Sequence, residues 1–235
     1  MIGAPLPIHC KWYTMEKGSD LKEIEGVTGA FFQPSIDDIG KMICVHAVPA
    51  SDAMDYHGMP GFQEVGPLVL DESVKEKIES CSVNHTKFSV VIERNEANLA
   101  GIMQGKKYFL VIDEGELYFG DSTSLKLSYI KFENDYPGVK LVRNSGTMLV
   151  LVLDEKQSEI ALTAETNITR DILATIIRNK VKQYTIMIKK KAEEEKTEIG
   201  RLTTKCARLE KENGLLKSAN KEYMEQRIIL INSIV

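Results

Sequence analysis

The sequence predicts a mainly β protein that ends in one long α-helix, and three observations carry that reading. Seven short segments between Lys87 and Thr163 alternate apolar and polar residues and are separated by turn chemistry. From Thr169 the period becomes helical, with Ile172, Leu173, Ile176, Ile177 and Val181 on one face. From Ile199 the same helix takes up a seven-residue repeat. A chain of 235 residues suits roughly two modest domains and an appended helix, and 43% hydrophobic residues supply a core.

Along the chain, Trp12-Tyr13, Glu23 to Gly29, Phe31-Phe32, Pro34-Ser35 and the alternating run Met42 to Val48 read as the later strands of an immunoglobulin-like sandwich over 1–72. Trp12 is expected in its core, and Asp37-Asp38-Ile39-Gly40 is expected to turn the chain into a central strand. About four strands fit before Leu70, against about seven in a full sandwich. The module is therefore expected to be partial, either begun upstream or completed by a partner. Residues 73–86 are expected as a linker.

The seven strands fall over Phe88 to Glu93, Lys107 to Asp113, Glu116 to Phe119, Leu125 to Phe132, Val139 to Val142, Met148 to Leu153 and Glu159 to Thr163. Asp113-Glu114-Gly115, Asn134-Asp135-Tyr136-Pro137-Gly138 and Asn144-Ser145-Gly146 supply the turns. Thr169 is the expected N-cap of the helix that follows, with Asp171 in its first turn, where the helix dipole favours a negative charge. Seven strands closed by one amphipathic helix resemble a pleckstrin-homology-like domain over 87–182, a partly open barrel plugged by its last helix.

No Gly or Pro stands between Thr169 and Ile199, so the helix is expected to run into a coiled coil over 183–235 and to reach about 95 Å at 1.5 Å per residue. Ile199, Cys206, Asn213, Asn220 and Arg227 take heptad position a, and Leu202, Leu209, Leu216, Tyr223 and Leu230 take position d. Asparagines at a favour a parallel, in-register, two-stranded assembly, and in that register Lys205 meets Glu210 and Glu212 meets Lys217 across the pair. The apolar stripe widens through Met224, Ile228, Ile229 and Ile231 to Ile234 and Val235.

The string Glu23-Ile24-Glu25-Gly26-Val27-Thr28-Gly29-Ala30, then Phe32-Gln33-Pro34-Ser35 and Asp37-Asp38-Ile39-Gly40, with Gly58, Gly61 and Gly66-Pro67-Leu68 downstream, resembles one repeated module. It is the immunoglobulin-like repeat of the plant and protist microtubule-associated proteins first named as auxin-induced in root cultures. The resemblance implies the last repeat and C-terminal region of such a protein, hence a cytoskeletal partner such as tubulin. It implies a location in the cytoplasm on the cytoskeleton, the cilium or flagellum included. The leucine-rich repeats of that family do not occur in this chain.

Charge and motifs point away from other classes. A net charge of -4 without a concentrated basic surface gives no nucleic-acid binder. No run reaches the roughly 18 apolar residues of a membrane span, residues 1–7 lack the regions of a signal peptide, and four scattered cysteines suit a reducing cytosol. Phe119-Gly120-Asp121-Ser122 resembles the nucleophile block of one esterase class, but the last histidine is His85 and no general base follows Ser122. No enzyme and no cofactor are expected. Cys81 with His85, and Cys44 with His46, each offer two zinc ligands where structural sites use repeated pairs. The loop from Glu93 to Gly101 lacks the basic string of a phosphoinositide site, which leaves a lipid-reading membrane adaptor as the alternative function. Lys189-Lys190-Lys191 before Glu193-Glu194-Glu195 is a candidate contact for an acidic lattice.

Overall fold

The computed structural model describes residues 8–49, 60–83, 86–122, 126–143 and 145–232, with side chains of the last helix up to Arg227. The expectations at Gly58, His85, Leu125 and Asn144, at residues 1–7, and at the side chains of Ile228, Ile229, Leu230, Ile231, Ile234 and Val235 lie outside this set. Among the described residues the chain is mainly β, with two antiparallel sheets and one long C-terminal helix. It divides into two compact units, Met1–Thr185 and Ile186–Val235.

In the first unit, β1 (Ile8–Met15), β2 (Lys22–Glu23), β3 (Met42–Pro49) and β4 (Gly61–Val65) form a four-stranded sheet in the order β2-β1-β3-β4. Among the described residues of this module, the buried apolar ones are Cys10, Ile24, Ile43 and Cys44. Trp12, expected in the core, is half-buried instead. Its ring packs 5.4 Å from that of Phe32, and its Nε1 donates to the Gly29 carbonyl at 2.9 Å. The glycine-rich segment 26–33 thus lies over the Trp12 ring. Edge strand β4 is exposed along its whole length, Phe62 and Val65 included.

Where a linker was expected, helix α1 (Glu72–Val83) forms. Asp71 caps it, taking the Ser73 N–H at 2.9 Å and the Ser73 hydroxyl on Oδ1. Ile78 enters the main core, with Val74 and Cys81 packed against it.

The second sheet holds all seven strands read from the sequence: β5 (Lys87–Asn95), β6 (Lys107–Ile112), β7 (Glu116–Gly120), β8 (Ser128–Lys131), β9 (Gly138–Leu141), β10 (Met148–Val152) and β11 (Glu159–Ala164). Their order is β8-β7-β6-β5-β11-β10-β9, so the first and last strands pair at the centre while β8 and β9 are the free edges. β8 is shorter than expected, and Leu127, just before it, donates its N–H to the Phe119 carbonyl. A bulge between β5 and β11 at Ala161/Leu162 adds local twist. The buried face carries Val90, Ile92, Leu110, Leu117, Phe119, Leu151 and Leu162, which meet Leu173, Ile176 and Ile177.

Those last three belong to α2 (Asn167–Asn232), whose N-cap is Thr166 rather than Thr169. The Thr166 hydroxyl oxygen accepts the Thr169 N–H at 3.0 Å. No acidic residue lies in the first turn. Asp171 serves a longer-range contact instead. Tyr184 packs edge-on against Phe132 at 5.9 Å, and Gly115 approaches its ring so closely that a Cβ there would sit 3.0 Å from Cε2.

Candidate functional site

The most developed polar constellation joins the N-terminal module to the seven-stranded sheet. Ser35 to Asp38 form a short 3-10 turn, and Gly40 follows it at φ +83, a backbone conformation that glycine adopts without strain. The Asp38 side chain is fully buried, and its Oδ2 accepts the Ser35 N–H at 2.8 Å and the Ser35 hydroxyl at 2.9 Å. Arg143, in the loop between β9 and β10, donates from Nη1 to both Asp38 oxygens at 2.7 and 2.9 Å. Asp37 binds Arg178 of α2 through both carboxylate oxygens. The Ile36 N–H donates to Asp171 Oδ2 at 3.1 Å, and Asp171 Oδ1 receives Arg170 Nε at 2.8 Å.

Burial pushes the Asp171 carboxyl above its ordinary range, with nearby Asp37 adding to the rise and Arg170 and the Ile36 amide opposing it. The sequence presented Asp37-Asp38 as local turn chemistry. The structure makes them the contact between two parts of one unit.

Two open clefts lie near this turn. One, of about 430 Å³, is lined by Gly26 to Gly29, Phe31, Phe32, Gln33, Arg143 and Gly146. The other, of about 230 Å³, lies among Pro34, Ile36, Leu68, Leu70, Val74, Ile168 and Asp171.

The loop weighed for phosphoinositides runs between β5 and β6, and its cations are already matched. Lys106 pairs with Asp121 at 3.0 Å, Lys107 with Glu165 at 3.1 Å, and Arg94 with both Glu96 and Glu159. The Asp121 hydrogen bond holds the Lys106 ammonium above its ordinary pKa. Ser122 is an exposed loop residue directly after Asp121. Cys44 is buried, which pushes its thiol up and away from the reactive thiolate. Among the described residues no three His, Cys, Asp or Glu side chains form a metal-holding group.

In the second unit, Ile199, Leu202, Leu209, Leu216 and Tyr223 are each about half to two-thirds exposed, with Cys206, Asn213 and Asn220 exposed beside them. Lys205, Glu210 and Lys217 are also exposed, while Glu212 pairs within the helix with Arg208 at 3.2 Å. Lys190 reaches Glu194 at 3.8 Å, and Lys189 and Lys191 are exposed. The structure thus shows a row of unburied apolar side chains at heptad spacing.

A further carboxylate gives a pH-dependent expectation. The Ser158 backbone N–H and hydroxyl hold the Asp154 carboxyl below its ordinary range in the β10–β11 turn. A lowered folded-state pKa contributes stability above the unfolded value near 3.8, and that contribution is lost as pH falls through the folded value. Ser158→Ala should raise the Asp154 pKa part of the way back, because the backbone donor stays. A carboxyl-resolved NMR titration reads it, and an unmoved pKa would show that the hydroxyl contributes nothing.

No protein-family model matches this chain. Among curated proteins it is similar to the 187-kDa microtubule-associated protein AIR9 of Arabidopsis thaliana. The two are 25% identical over 189 residues, which cover 74% of this chain and 10% of that protein. The chain therefore spans about a tenth of the length of the curated relative it matches. Among solved structures it is similar to inner membrane complex sub-compartment protein 3 of Toxoplasma gondii, at 12% identity and a TM-score of 0.35, over 47% of this chain and 87% of that one. A likeness at that level defines neither fold nor function.

Proposed function

We propose that this chain is a non-enzymatic cytoskeletal scaffold, microtubule- or flagellum-associated, that pairs with a second copy through its C-terminal helix. The carrying observation is its similarity to a microtubule-associated protein across most of its own length. On this reading, 1–72 is a partial immunoglobulin-like module of the AIR9 type and 87–182 a pleckstrin-homology-like domain. Pairing of first and last strands at the sheet centre supports the latter.

The exposed row from Ile199 to Tyr223 supports a parallel coiled-coil dimer, since a lone helix with these side chains leaves them in water. Two identical heads gain apparent affinity for a repeating lattice through effective concentration. The paired cations of the β5–β6 loop do not favour the lipid-reading alternative.

Co-sedimentation with microtubules at low salt tests the reading. The full chain should pellet with them, and reversing Lys189, Lys190 and Lys191 to glutamate should reduce the bound fraction several-fold, because tubulin-lattice charge is acidic and exposed contacts are salt-sensitive. Unchanged binding would retire the lysine contact. Absence of pelleting by the full chain would retire the microtubule reading.

A further inference from the structure

We propose that Arg143, Arg170 and Arg178 form a receptor for acidic peptide, which the chain's own Ser35–Asp38 turn occupies in cis. The charge balance of the constellation carries this. With the turn in place, three arginines face three carboxylates, Asp37, Asp38 and Asp171. Without it the same arginines face Asp171 alone, so the surface supplied by the β9–β10 loop and α2 holds two cations in excess.

Arg178 and Arg170 are also held by groups other than the turn. Arg178 Nη2 donates to the Val139 carbonyl on edge strand β9 at 2.9 Å, and Arg170 Nη1 to the Ser145 carbonyl at 3.0 Å. Arg170 is only 3% exposed and is packed by its own domain. These two arginines therefore stay positioned when the turn leaves. Arg143 and Arg178 are each about one-third exposed, so an incoming carboxylate can reach them from solvent. Open space adjoins the site, with one cleft against Ser35, Ile36 and Asp171 and another against Gln33 and Arg143.

The recognised chemistry is a short segment with two consecutive carboxylates and an apolar residue before them, as in Ser35-Ile36-Asp37-Asp38.

Fluorescence anisotropy tests this with the full chain and a labelled peptide of residues 33–40. Wild type should bind weakly, since the cleft is filled. Asp37→Ala/Asp38→Ala should bind at least tenfold more tightly, and adding Arg178→Glu should return binding to the wild-type level. A peptide carrying asparagine at both acidic positions should not bind. Equal binding to wild type and the double variant, or none to either, overturns the proposal and leaves the cluster as a fixed joint. If the alanine variant does not fold, the isosteric Asp37→Asn/Asp38→Asn carries the same readout, and no gain there also overturns it.

Discussion

Replacing Leu209 and Leu216 together by lysine should abolish the proposed dimer and leave a monomer by multi-angle light scattering. In a two-stranded assembly the pair of substitutions removes four leucine side chains from the seam. At about 1.5–3 kcal/mol for each fully buried side chain, the loss is roughly 6–12 kcal/mol. A dimer with a micromolar dissociation constant holds about 8 kcal/mol, and four ammonium groups facing one another add repulsion. Helicity should fall as well, because a long helix with exposed apolar and β-branched residues draws most of its stability from packing. Orientation has its own readout. Cys206 is exposed and takes position a in the proposed register, so a parallel in-register pair would set the two thiols in one layer and mild oxidation would give a single covalent dimer. An antiparallel pair separates them and gives none. A persistent dimer in the lysine variant would show that the heptad register is wrong.

The seven-stranded sheet was legible because its physics is local. In β5 and β7, alternation reflects one face turned to a common core, β10 reads as a continuous apolar run, and Asp, Asn, Gly and Pro mark the reversals. The helix start lies three residues before the expected one, because Thr166 and Thr169 can each cap a helix. The choice was made by the hydroxyl of Thr166, which reaches the Thr169 amide. Helix α1 has a local signature, since Asp71 is a good cap and Val74, Ile78 and Cys81 recur at helical spacing. Its weak apolar face, three residues among charged ones, resembles a solvated connector.

The acidic turn shows where sequence reading stops. Asp37 and Asp38 satisfy every local rule for a turn, and nothing nearby announces another role. Their partners Arg178 and Arg143 lie 141 and 105 residues away. Single arginines in a loop and on a helix leave no periodic signature, so only the folded backbone brings the charges together. The same limit explains the half-buried Trp12, whose cover comes from the glycine-rich segment rather than from a second sheet.

Arg143→Met should destabilise the first unit by about 3–5 kcal/mol, the range for stripping a buried ion of its partner. The effect is asymmetric. Asp38 is fully buried, and without the guanidinium its charge keeps only the Ser35 amide and hydroxyl. The opposite substitution, Asp38→Asn, leaves an arginine that is about one-third exposed and can hydrate, so it should cost only about 1 kcal/mol, as for one ordinary hydrogen bond. Combining the two should recover much of the loss in Arg143→Met, because no buried charge then remains. At about 2–4 °C per kcal/mol for a domain of this size, the single variant should melt roughly 6–20 °C lower by circular dichroism. Equal losses from both single variants, with no recovery in the double, would mean that the contact is held by packing of the turn and not by its charges.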